Sequence, residues 1–148
     1  MYKIRKEPYG FHLTFSGLIG VDEMEAWLVE SKEVLATAEE KFGVFVDMRD
    51  LEILPPESQP ALKRGQRLYK KLGMVRSVVI LSDEITTMQF KRIAKQTGIY
   101  EWERYIDAGI ESNWEEVGLA WIVDNVDPDK RQTVSPKRNT VRKSQKSS

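Results

Sequence analysis

The chain has 148 residues, one domain's worth, with 41% hydrophobic and 31% charged residues, the composition of an ordinary globular protein. It has no cysteine, which excludes disulfides, thiolate nucleophiles and cysteine-ligated zinc. Its formal net charge of zero hides an asymmetry: Lys130–Ser148 holds seven Lys or Arg and no acid, leaving 16 basic against 23 acidic residues elsewhere, a net of −7.

The amino terminus, Met1 to Glu7, has no apolar h-region. Apolar runs such as Ser77 to Leu81 are far too short to span a bilayer. Together these features predict a soluble, cytoplasmic protein.

In chain order, Tyr2 to Arg5 reads as a short strand, and Glu7-Pro8-Tyr9-Gly10 as a turn. Tyr9 to Ser16 alternates, with Phe11, Leu13 and Phe15 on one side and His12, Thr14 and Ser16 on the other, the period of a half-buried strand. Asp22 offers a helix N-cap, and Glu23 and Glu25 suit the positive end of the helix dipole. Met24, Leu28, Leu35, Ala38 and Phe42 continue at helical spacing, so the helix is expected to end near Lys41, with Gly43 as its stop. Val44-Phe45-Val46 reads as a strand covered on both faces.

Pro55-Pro56-Glu57 starts a second helix carrying Leu62, Leu68, Tyr69 and Leu72, closed by Gly73. Val75 to Leu81 is the clearest buried strand. Ser82 or Asp83 caps a third helix that ends near Gly98, Arg104 to Ile106 forms a last short strand, and Trp114 to Ile122 marks a final helix. The order ββαβαβαβα predicts an α/β domain over residues 1–127, with a mostly parallel central sheet, covering helices and a hairpin at the start. Residues 128–148 contain too few apolar side chains to offset the entropy of ordering, which predicts a disordered basic tail.

From about residue 9 to 123 the chain resembles the STAS superfamily (sulfate transporter and anti-sigma-factor antagonist domains), in particular its SpoIIAA-like branch. Phe11 to Gly17 is similar to that family's second strand and glycine, and Val44 to Leu51 to its central strand with the terminal aspartate. Arg104-Tyr105-Ile106, followed by Leu119-Ala120-Trp121-Ile122, resembles the ending of the SpoIIAA-like branch. The regulatory members' phosphorylatable Asp-Ser-Ser-Gly is absent: an ungapped match from Asp47 places Pro55-Pro56-Glu57-Ser58 there, with Glu57 at the phosphorylated position. Gly20 stands where an acidic residue usually follows the second strand. Glu57 then either imitates a phosphoserine or starts a helix, and Ser58 is either a modification site or a first-turn helical serine.

The resemblance implies a non-enzymatic regulatory or protein-binding module, without the usual phosphoserine switch, that meets an unknown protein partner around Asp50, Glu57 and Ser58. An alternative is a carrier or sensor of a small apolar, lipid-like ligand, in a cleft lined by Met74, Met88, Phe90, Ile93 and Trp102. A third expectation is association with nucleic acid or an acidic membrane through the tail Lys130–Lys146.

The residues themselves offer no catalytic constellation and no cofactor motif. His12 is the only histidine and lies on the polar side of its strand, facing solvent or a pairing partner. Asp47, Asp50 and Glu52 end a central strand, where a hard cation is one reading and capping or ion pairing another. Gly17-Leu18-Ile19-Gly20 lacks the lysine of a phosphate loop. Trp114 and Trp121 share a helix face and are expected in the core, and Tyr100 to Glu103 forms an aromatic cluster suited to a partner or to packing.

Overall fold

The computed structural model describes residues 1–130; the tail residues after Lys130 lie outside the described residues, and so do the expectations placed on them. Its elements are β1 (Tyr2–Glu7), β2 (Gly10–Phe15), α1 (Val21–Leu35), β3 (Phe42–Asp47), α2 (Gln59–Lys71), β4 (Met74–Leu81), α3 (Glu84–Thr97), β5 (Glu103–Asp107) and α4 (Trp114–Asp124). Short 3₁₀ turns at Pro56–Ser58 and Tyr100–Trp102 precede α2 and β5. The five strands form one sheet in the order β1-β2-β3-β4-β5, with β1 antiparallel to β2 and the remaining pairs parallel.

That order fixes the layers. Strands β2 to β5 advance across the sheet in one direction, and right-handed crossovers then put α1, α2 and α3 on one face. Phe11, Leu13, Phe15, Val44, Val46 and Val79 project to that side and form the larger core with Trp27, Leu62, Tyr69 and Phe90. Only α4 remains for the other face, where Phe45, Val78, Ile80 and Ile106 meet Val117, Trp121 and Ile122. β3 is therefore covered on both sides, as its unbroken apolar run predicts.

The first helix is shorter than its apolar spacing predicts. α1 ends at Leu35, and Thr37 accompanies the exit by donating its hydroxyl to the Val34 carbonyl at 2.7 Å. Phe42 and Gly43 are the first residues of β3 instead of the helix end. Phe42 packs edge-on to Phe11 at 5.4 Å, a burial that a continued helix would have forfeited. The N-cap of α1 is Gly20, and Asp22 sits in the first turn. Asp83 caps α3, accepting from the Thr86 amide at 2.7 Å, and Gly98 closes it in the left-handed region.

The folded part also extends past residue 127. Pro128 is buried, and Arg104 pairs with both Asp127 (2.9 Å) and Asp129 (3.7 Å). Among the described residues no helix is long and apolar enough to cross a membrane.

Candidate functional site

The parallel strands all end at one edge of the sheet, where the backbone leaves the ladder and ligand sites of α/β sheets tend to lie. There the β2 and β3 exits are tied together. The Gly17 amide donates to the Asp50 carbonyl at 2.8 Å, and the Glu52 amide returns to the Gly17 carbonyl at 3.1 Å. The Ser58 hydroxyl donates to the Ile19 carbonyl at 2.8 Å, and the Gln89 amide of α3 donates to the Leu54 carbonyl at 3.0 Å. Four segments of the chain are thus fixed side by side.

These segments expose four large apolar side chains. Leu18 (62% exposed), Ile53 (58%), Ile85 (68%) and Met88 (65%) come from these neighbouring segments, although α/β surfaces have many polar alternatives to offer at such positions. Asp50, Glu52 and Glu57 are exposed in the loop that carries Ile53. The strand-end edge therefore carries exposed apolar side chains together with exposed Arg49, Asp50, Glu52 and Glu57.

Of the residues expected to meet a partner, Asp50 and Glu57 are accessible here. Ser58 is not: it is fully buried and its hydroxyl is committed to the Ile19 carbonyl, so the reading of Ser58 as a modification site is corrected to a structural one. Glu57 stands in the 3₁₀ turn ahead of α2, a helix-start position.

The three strand-end carboxylates do not converge on an ion. Burial would raise the Asp47 carboxyl, but two hydrogen bonds from the Arg49 guanidinium (3.0 and 2.9 Å) and one from its amide hold it below its usual value. Arg49 also lies over the Trp114 ring at 4.1 Å. Asp47, Arg49 and Trp114 thus form a clamp between β3 and α4. Among the described residues no group of three metal-ligating side chains comes together. His12, expected to face solvent or a pairing partner, is half-buried and stacks on its cross-strand neighbour Phe45 at 5.1 Å, and burial lowers its pKa.

The five residues of the expected apolar cleft separate. Met74 and Phe90 line an interior cavity of about 40 Å³ between the sheet and α1–α3. Ile93 is fully buried in the same core cluster. Met88 faces outward on α3, and Trp102 is 43% exposed beyond the end of α3. The alternation of exposed and buried positions around a helix carries Met88 and Ile93 to different sides of α3, which the residue types alone do not reveal.

The same cavity exposes a group that the sequence reading missed. Glu103 is buried on its wall, accepting from the Ser77 hydroxyl at 2.9 Å and from the Tyr105 hydroxyl at 2.6 Å. Burial pushes its carboxyl up to about 7, and the two hydrogen bonds work against that rise. Starting β5 one residue earlier puts Glu103 in period-two register with Tyr105, facing the core; that register was the available signal.

No known family model matches this chain, and no curated protein is significantly similar to it.

Proposed function

We propose that this protein is a non-enzymatic, STAS-like regulatory or protein-binding module of the cytoplasm, and that it grips a protein partner through the strand-end surface. The observation that carries the reading is the exposed apolar group Leu18, Ile53, Ile85 and Met88 beside Asp50 and Glu57. Adjacent apolar anchors with a charged rim are the anatomy of a recognition surface, and a partner with an apolar anchor and a basic rim complements it. The ββαβαβαβα order supports the STAS-like reading. A phosphoserine switch has no place in it, because Glu57 occupies the position that the resemblance assigns to the phosphorylated serine and Ser58 is buried.

The test is affinity capture with the full chain, followed by titration of the purified partner. Ile53→Asp should weaken binding about 30-fold, the effect of losing one central anchor, and Glu57→Lys should slow association. Both positions are exposed, so thermal stability should change by less than about 0.5 kcal/mol. Equal affinity of both variants for the partner would remove the surface from consideration.

Carriage of a small apolar ligand stands second. The cavity that Met74 and Phe90 line has about 40 Å³, against the roughly 300 Å³ or more of ordinary ligand pockets. Native mass spectrometry of freshly purified protein is expected to show the mass of the bare chain. A reproducible extra mass of lipid size would reverse the ranking and require α2 and α3 to part.

A further inference from the structure

The charge of the folded part is sorted along the chain. Residues 59–98, which contain α2, β4 and α3, hold nine Lys or Arg and two acids, a net of +7. Residues 1–58 and 99–129 together hold seven basic and 21 acidic residues, a net of −14. The two acids of the basic segment, Asp83 and Glu84, sit at the start of α3, where Asp83 is occupied as the cap. Among the described residues, the one ion pair between a carboxylate and a cation of α2 or α3 is Arg64–Glu25. The positive charge on these helices is therefore largely uncompensated by local acids.

Aromatic rings lie beside this charge. Arg67 and Lys70 of α2 reach across to the carbonyls of Gln96 (3.4 Å) and Gly98 (3.1 Å), joining α2 to the end of α3. The Lys70 ammonium lies 4.8 Å from the Trp102 ring centre, Lys95 lies 4.8 Å from Tyr100, and Lys91 lies 5.5 Å from Tyr105. Trp102 and Tyr100 are 43% and 39% exposed, and Tyr100 stands 6.3 Å from Tyr105. Glu101 is the one acid set between the two exposed rings.

We infer that the face made by α2, α3 and the Tyr100–Trp102 turn binds single-stranded nucleic acid. A ring covered by a flexible lysine suits this ligand twice over. A base can stack on the ring, and the displaced ammonium can follow the phosphate. Stacking asks only for a π-face, so the surface tolerates any sequence. The course of the chain adds to the argument. Lys130 borders the groove lined by Trp102 and Arg104, and the residues that follow carry Arg131, Lys137, Arg138, Arg142, Lys143 and Lys146 with no acid. Here ammonium groups lie over the rings, the pairing that base stacking beside a phosphate uses.

The experiment is fluorescence anisotropy of the full chain with a labelled oligo(dT) or oligo(U) of roughly 15 nucleotides. Binding should weaken about 50-fold between about 50 and about 200 mM salt, as expected for roughly four phosphate contacts. Trp102→Ala should weaken it about tenfold, by loss of stacking. The double variant Lys70→Glu, Lys95→Glu should weaken it at least about tenfold and flatten the salt dependence. Both lysines are exposed, so this variant keeps the test decisive should Trp102→Ala disturb the fold. Wild-type affinity in the charge variant would assign binding to the tail and overturn the inference. So would failure to bind either oligonucleotide, including the case in which phosphatidylserine vesicles bind instead. The strand-end surface shares α3 with this face through Ile85 and Met88, but Lys70, Lys95 and Trp102 are not among its anchors, so either outcome leaves the partner-capture test standing.

Discussion

Gly10→Ala is expected to destabilise the protein by about 4 kcal/mol, a large part of the roughly 5–15 kcal/mol that holds a domain folded. Gly10 begins β2 opposite Gly43 of β3, with φ at +147°, a conformation that L side chains rarely adopt. A Cβ there would stand 2.0 Å from the Gly43 carbonyl oxygen, inside any tolerable contact. Backbone must move to relieve it, yet the Gly43 amide is hydrogen-bonded to the Tyr9 carbonyl at 2.9 Å. The hairpin and the first parallel pair would therefore be strained together. Urea unfolding measures the effect, and a midpoint close to that of the natural chain would show that β1 and β2 can shift at little cost.

Glu103→Gln should make the protein more stable at pH 8, by up to about 3 kcal/mol, while changing little at pH 5. The sign follows from where the proton resides. The carboxyl has a usual value of 4.5 and rises to about 7 in the folded chain because it is buried. Below about pH 4.5 the group is protonated in both states and its charge costs nothing. Between 4.5 and 7 the unfolded chain releases the proton and the folded chain keeps it, so stability falls by about 1.4 kcal/mol for each pH unit. Above 7 the folded state buries a carboxylate, and the loss is complete. Glutamine keeps an acceptor for Ser77 or Tyr105 and removes the titration. Unfolding curves at pH 5 and pH 8 decide it: an equal difference between the two chains at both values would mean that Glu103 does not titrate between them.

Both predictions concern positions that local patterns describe poorly. Gly10 reads as one glycine in a turn, and only the register against β3 shows that it faces another backbone. Glu103 reads as a charged residue before a short strand, and only the Ser77↔Glu103 pairing of β4 and β5 places it inside. Phe42 shows the same limit. Its spacing from Leu35 and Ala38 suits a helix, but its edge-on contact with Phe11 belongs to a sheet whose existence local spacing does not encode.

The candidate surfaces divide in the same way. The loop around Asp50 and Glu57 was accessible to reading because Pro55-Pro56 marks a helix start after a buried strand. The buried Ser58 and the outward Met88 were not, since helical phase decides them and a shift of one residue rotates a side chain by about 100°. The basic segment 59–98 could have been found by counting charge between strands; counting it over the whole body cancels it against the acidic remainder.

By itself the sequence determined the alternation of strands and helices, the double burial of β3 and the start of α3 at Ser82 or Asp83. These depend on hydrophobic period and on backbone groups close along the chain. Tertiary structure alone decided the buried carboxyl of Glu103, the Gly10–Gly43 approach, and the meeting of Lys70 with Trp102 across a separation of 32 residues. Each of these joins residues distant in the chain, and their energies depend on desolvation and contact geometry that exist only once the layers have closed.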